Sequence, residues 1–435
     1  MSDRPATKSR RFLRLAGMTA QVAGNYAKTR LTSMFQEREA AESALAQAHD
    51  RSGQLVAKTL GELKGAVMKV GQMASIAGDI LPRELADALG SLQRDAPPMG
   101  FDVVAEQVEA ELGATPDALF RHFDRQPFAA ASIGQVHRAV TEDGRDVVVK
   151  VQYPGVDAAV DSDLGQLKLA LRMSGMLQLS KSATDALFVE LKARLHEELD
   201  YRHEAENLRF FGDRYREPGG VLVPEVVDDR SSQRVLTLTY LPGDSLSEAA
   251  AYSQAQRNQL ALAIFDMVTD QAFRLRRLHA DPNPANFAFR RDGTIVLYDF
   301  GCIKALDLDV VTHYAKTVRA ALDEDYAEVE TGFVHLGARN LHKPSPPPEL
   351  YKAWRDILAQ PFFGGVFDYA NATIQRETLK LVPSFLANYV GVFQPPPQLV
   401  FLDRVVVGHY GTLQRLGAKV DLRPRLDAVF DELLQ

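Results

Sequence analysis

Two short motifs constrain this chain more than any other feature. "HADPNPANF" occupies residues 279–287 and "YDFG" residues 298–301. Asp281 and Asn286 are five positions apart, and Asp299 follows after two β-rich runs, "NFAFRR" and "TIVLYDF", around a "DG" turn. A hairpin there folds Asn286 and Asp299 back toward one another. Phosphoryl transfer needs a carboxylate near the attacking oxygen. It also needs an amide oxygen and a second carboxylate to hold Mg²⁺ against the phosphates. Asp281 fits the first role, and Asn286 and Asp299 fit the second. His279 reads as a brace for the loop rather than a reacting group.

The upstream sequence agrees with a nucleotide site. "PFAAASIGQVHRAV" at 127–140 and "VVVKVQYPG" at 147–155 read as two strands joined by the turn "EDG". A kinase places G-x-G-x-x-G-x-V here. Gly134 and Val136 match, but Ala129 and Ala131 stand where the first two glycines belong. A strand-end lysine is ordinarily just solvated. Lys150 follows a glycine-bearing turn and strand, as a phosphate-pairing lysine does, and needs an acid on the next long helix. "HEELDYRHEAEN" at 196–207 offers several. On a regular helix Asp200 and Glu204 share a face and Glu198 points about 200° away. Glu198 and Glu204 should then do different jobs, with Glu204 taking Lys150. After "DFG" there is no A-P-E and no long activation segment, so the platform for docking a peptide is missing. That tells against ordinary protein phosphorylation.

Composition sets the frame. The chain has 435 residues, 46% apolar and 25% charged, which suits a globular protein with a real core. A net charge of −7 gives no reason to expect a nucleic-acid partner. One cysteine, Cys302, excludes a disulfide framework and fits a reducing compartment. Residues 1–33 form a basic segment: Arg4, Lys8, Arg10, Arg11, Arg14, Lys28 and Arg30 face Asp3 alone through residue 31. A basic amphipathic helix of this kind can lie on anionic lipid, as an alternative to standing free in solvent. The longest uncharged run, Leu381 to Leu402, contains "PPP" and is predicted to be a buried helix, a rigid turn and the start of another helix. The predicted organisation is a helical extension over 34–125, a small β-rich lobe over 126–243 and a large helical lobe over 244–435, in which residues 254–278 read as helix. The fold class is α+β.

"LKGAVMKVGQMASI" at 63–76 contains K-x-G-Q as Lys69, Gly71 and Gln72. With "AAAS" at 129–132, E-x-D as Glu198 and Asp200, "DPNPAN" and "DFG", the chain resembles the ABC1/UbiB family of atypical kinase-like proteins. The phrases "PFAAASIGQVH", "QYPGV" and "LDYRHEA" point to the branch typified by the mitochondrial coenzyme Q biosynthesis kinase. The resemblance runs from roughly residue 10 to the C-terminus. Asn283 and Ala285 depart from the "DPHPGN" of many members, and C-terminal transmembrane helices, known in bacterial UbiB proteins, are missing.

The resemblance implies a protein-kinase-like fold with a helical K-x-G-Q extension. Ala129, Ala130, Ala131, Ser132 and Gly134 would form an alanine-rich nucleotide loop, joined by Lys150 and Gln72. Alanine's Cβ makes positive φ costly and stiffens such a loop. Lys69 would reach Glu198 as a plug over the site where a peptide would dock. The implied ligands are ATP or ADP with Mg²⁺. The implied role is slow ATP hydrolysis in support of ubiquinone or related isoprenoid-lipid metabolism. The expected location is the cytoplasm, with peripheral attachment at the inner face of a membrane. Implied partners are anionic lipid and quinone-biosynthesis proteins, and a homodimer is allowed. A small-molecule phosphotransferase of aminoglycoside or choline kinase type shares the Asp281 and Asn286 spacing but lacks K-x-G-Q and E-x-D. A nucleotide-gated scaffold without catalysis is the other alternative.

Each Lys or Arg close to an anionic membrane contributes about 1 kcal/mol. The full chain should therefore float with vesicles containing anionic lipid, less so as salt rises. Deleting residues 1–31 should abolish that flotation, and equal flotation by the truncated chain would refute the assignment.

Overall fold

The computed structural model describes residues 99–131, 133–156, 199–216, 220–389, 391–394 and 396–435, with scattered positions at 17, 21 and between 160 and 196. Lys69, Gln72, Ser132, Glu198 and most of the basic N-terminal segment lie outside the described residues. The chain divides into two compact units, Met1–Glu206 with Glu225–Tyr240, and Asn207–Pro224 with Leu241–Gln435. Described elements are numbered here in chain order.

The first unit is built on an antiparallel sheet. β1 (His122–Phe123), β3 (Gly134–Val140), β4 (Asp146–Gln152) and β6 (Val235–Thr239) neighbour one another in that order, and β2 (Ala129–Ala131) pairs with the other half of β3. Val147, Val149, Val151, Ala139 and Val235 form one face and pack with Val104 and Val108 of α1 (Phe101–Leu112) and with Phe120 and Phe123. The alternation that buries these valines sends their neighbours to the other face. The register pairs Val136 with Lys150 and Arg138 with Val148, and on the far side Val148 with Leu238 and Lys150 with Leu236. These side chains share the second face. The predicted turn closes at Gly144, whose φ of +86° suits glycine.

Gly134 is needed for a different reason. A Cβ there would sit 2.2 Å from the Val151 carbonyl oxygen, so glycine lets β3 lie close against β4. The alanine stretch, predicted as a loop, is a short strand instead, with Ala129 opposite Val136 and Ala131 opposite Gly134. Extended backbone makes no demand for positive φ, which is how alanine is accommodated.

A second correction concerns the acid-rich stretch. α2 is the short helix Pro116–Leu119, and the next described helix, α3 (Tyr201–Arg214), starts only after a break at Leu199 and Asp200. Asp200 Oδ1 accepts from the Arg202 N–H at 3.0 Å, so Asp200 satisfies a helix end rather than sharing a helical face with Glu204.

In the second unit β5 (Val221–Leu222), β9 (Ile295–Leu297) and β8 (Phe287–Phe289) form one sheet, and β7 (Arg277–His279) pairs with β10 (Ile303–Ala305). Around them lie α4 (Leu246–Ala249), α5 (Gln254–Thr269), α6 (Leu308–Leu322), α7 (Tyr326–His335), α8 (Pro348–Leu358), α9 (Ile374–Tyr389), α10 (Pro397–Leu416) and α11 (Arg423–Leu434). α4 and α5 both start with capping boxes, Ser245 with Glu248 and Ser253 with Gln256. The main core joins Phe273, Leu278, Leu306, Val311, Leu402, Val405 and Phe430.

Residues 254–278 were expected to be helical throughout. The helix instead ends at Thr269, passes through a π turn at Asp270–Arg274, and becomes β7. Arg276 takes a φ of +51°. Its carbonyl accepts from the Leu306 N–H, beside the strand that pairs with β7. That partner lies beyond the reach of local periodicity. The uncharged run at 381–402 does contain a helix end, a turn and a new helix with proline in its first turn. α9, however, is not buried: Pro383, Ser384 and Asn388 are exposed. Among the described residues, no helix is long and apolar enough to cross a membrane.

Gly134→Ala should cost about 1–3 kcal/mol, because a packed strand pair cannot open to admit a methyl group without strain. Gly212→Ala, where nothing lies within 4 Å of the added Cβ, should instead leave stability unchanged or raise it. Calorimetric melting of the two variants checks the difference in sign.

Candidate active site

Lys150 stands on β4 with its side chain on the second face of the first unit's sheet. Two contacts fix what it meets. The Tyr201 N–H donates to the Gln233 carbonyl at 3.0 Å, and Gln152 Nε2 donates to the Leu199 carbonyl at 3.0 Å. They hold the start of α3 against the sheet, so that Glu204, one turn in, reaches Lys150. Nζ lies 2.7 and 2.9 Å from the two carboxylate oxygens. The side chains are 10% and 5% exposed, so the pair is out of bulk water. The Tyr201 ring lies 5.3 Å from the same Nζ. Two charges withdrawn from water this far need a partner of opposite sign, and each supplies one to the other.

In the second unit β7 delivers His279, which is buried, and its Nε2 meets the Asp299 carbonyl oxygen. A carbonyl only accepts, so Nε2 carries a proton, while Nδ1 is buried with no hydrogen-bond partner among the described residues. The loop then turns at Pro284–Asn286, where Asn283 accepts from the Ala285 N–H at 3.1 Å. Asn286 Nδ2 donates to Asp281 Oδ2 at 2.9 Å, which leaves the amide oxygen pointing elsewhere. The hairpin of β8 and β9 brings the Tyr298 N–H to the Asn286 carbonyl at 3.0 Å, and Asp299 is the next residue. Asp299 Oδ1 accepts from the Gly301 N–H at 3.0 Å. Phe300 is fully buried; Asn207 of α3 donates to its carbonyl at 3.1 Å, and Phe211 packs on its ring at 5.2 Å.

Sequence reasoning missed the contribution of α10. Arg404 Nη2 donates to Asp281 Oδ1 at 3.1 Å, so both oxygens of Asp281 are held. Gly408 brings the same helix against the loop, since a Cβ there would lie 2.3 Å from Pro282 Cγ. His409, one residue on, is buried with its ring 5.4 Å from Phe287, and burial pulls its pKa down to about 3, so it is neutral. The one available signal was Arg404 itself, set among valines and phenylalanine just after the longest uncharged run.

With this geometry in view, comparison with known proteins is decisive. Residues 91–332 match the ABC1 atypical kinase-like domain. The chain belongs to the ABC1 family. This ABC1 chain is 30% identical over 372 residues to the mitochondrial atypical kinase coq-8 of Caenorhabditis elegans, covering 84% of this chain and 49% of that protein. It is 38% identical over 362 residues to the chloroplastic protein Activity of BC1 complex kinase 7 of Arabidopsis thaliana, covering 81% and 50%. The chain thus spans about half the length of these two relatives. Against the mitochondrial atypical kinase COQ8B of Rattus norvegicus it is 30% identical over 378 residues, covering 86% and 71%. A Mycobacterium tuberculosis protein solved in complex with erythromycin superimposes with a TM-score of 0.62 at 28% identity, covering 90% of this chain and 98% of that one. The expected α+β kinase-like fold is the fold of this ABC1 protein.

Replacing Lys150 by methionine strands the Glu204 carboxylate in the interior, at a cost of about 3–5 kcal/mol. Adding Glu204→Leu to Lys150→Met removes the orphaned charge and should recover most of that loss. Denaturant midpoints of the single and double variants check the order, and a double variant no more stable than the single one contradicts it.

Proposed function

We propose that this ABC1 protein is an atypical kinase-like ATPase that binds ATP or ADP with Mg²⁺ and supports ubiquinone or related isoprenoid-lipid biosynthesis at a membrane surface. The observation that carries the reading is the buried Lys150–Glu204 pair, in a chain whose Asp281 and Asn286 have the spacing of a phosphoryl-transfer loop and share a hydrogen bond. Lys150, oriented by Glu204, would hold phosphates. Asn286 Oδ1 and Asp299 are hard oxygen donors of the kind Mg²⁺ prefers. Two protein ligands suffice for an ion that takes its remaining oxygens from phosphates and water. Bound there, Mg²⁺ would neutralise phosphate charge. Asp281 already accepts from Asn286 and Arg404, so an incoming hydroxyl must share its oxygens, which suits orienting a water for slow hydrolysis.

Suppressed transfer to protein is supported by the missing A-P-E segment. The Lys69–Glu198 plug, with Gln72 beside it, remains part of this reading through the family's motifs. The pathway is supported by the family and by the COQ8 relatives. Phosphate release without added acceptor separates this function from a small-molecule phosphotransferase, which needs a defined alcohol.

Saturating nucleotide at about 100 times its dissociation constant should stabilise the wild type by about 2.7 kcal/mol when Mg²⁺ is present. Asp299→Asn should lose that Mg²⁺-dependent gain while still melting cooperatively. An unchanged nucleotide-induced rise in melting temperature in this variant would sink the assignment.

A further inference from the structure

Three side chains that the proposed function leaves unused meet across the sheet face that carries Lys150. Arg138 leaves β3 on that face, at the pair next to Val136–Lys150, opposite Val148. Its guanidinium carbon lies 3.5 Å from the centroid of the Tyr240 ring and 5.9 Å from that of Phe128. The two rings meet edge to face at 6.1 Å. Tyr240 follows β6, and its N–H donates to the Asp146 carbonyl of β4 at 2.9 Å. Arg138 therefore crosses β4 to reach it.

Phe128 is the residue before the alanine strand, and its N–H donates to the Val136 carbonyl at 2.7 Å. Phe128 is 57% exposed, so its ring is held by this stack rather than by a core. β2 itself is short and pairs with β3 alone, so little else in the ladder holds it. Arg138 Nε is buried and has no hydrogen-bond partner among the described residues, and Nη2 stands 3.7 Å from Asp146 Oδ1. A planar guanidinium stacked on one ring and flanked by a second is held flat.

We propose that Arg138 is a positioning residue, a latch that ties Phe128 and the alanine strand behind it to Tyr240 and so slows the release of nucleotide. The inference rests on the nucleotide reading given above, and deepens it by naming what holds the strand in place. Lysine keeps the charge but loses the flat stack; leucine loses both.

The test is release of a fluorescent N-methylanthraniloyl ADP, followed by stopped flow, in wild type, Arg138→Lys and Arg138→Leu. A cation–π stack of this quality corresponds to about a tenfold faster release in Arg138→Leu, with Arg138→Lys in between and the Mg²⁺ requirement unchanged. An unchanged release rate in Arg138→Leu overturns the latch. A wild type that binds no labelled nucleotide overturns the site reading instead. Amide hydrogen exchange over residues 128–136 then decides the latch: faster exchange in Arg138→Leu supports it, and unchanged exchange rejects it.

Discussion

The buried ion pair between Lys150 and Glu204 is the interaction on which the first unit's arrangement turns. Neither charge can be left alone at 10% and 5% exposure, so β4 and α3 are committed to one mutual register. Gln152 and Tyr201 fix the start of α3 with neutral hydrogen bonds, and the pair sets its rotation. Val147, Val149 and Val151 of β4 turn the other way, under α1, where burial drives the packing. One strand thus divides its side chains between a dry core and a charged face, and the period-2 alternation is the cause.

In the second unit the analogous constraint is the occupancy of Asp281. Its two oxygens accept from Asn286, which is local, and from Arg404, which is 123 residues away. The local bond shapes the loop, and the distant one ties the loop to α10. Gly408 is what allows that approach, since any side chain there meets Pro282. The loop's geometry is therefore shared between a tight turn capped by Asn283 and a helix near the end of the chain.

Much of the candidate site was legible because its signals are local. The five-position spacing of Asp281 and Asn286, the hairpin before Asp299 and an apolar strand carrying Lys150 are all short-range patterns, although β4 runs two residues past Lys150 to Gln152. The places where local reading failed share one cause. β7 was read as helix because its partner β10 lies across the Asp299 turn. The face of Glu204 was misjudged because a regular helix was extended through Asp200, where the described backbone breaks. The alanine stretch was read as a loop by analogy with glycine, although pairing with β3 makes it a strand.

The sequence by itself determined the chemistry: which carboxylates, amide and lysine are present, in what order, and that alanine replaces glycine beside them. It also pointed to the family, since the metal-binding spacing holds despite Asn283 and Ala285. Tertiary structure alone decided how deeply the Lys150–Glu204 pair is buried, that Arg404 holds the far oxygen of Asp281, and that Arg138 reaches past β4 to Tyr240. Each of these is a contact between segments far apart in the chain. Periodicity and spacing describe neighbours within a turn or a strand. Contacts of that kind arise only when burial forces distant elements to satisfy one another's charges and donors.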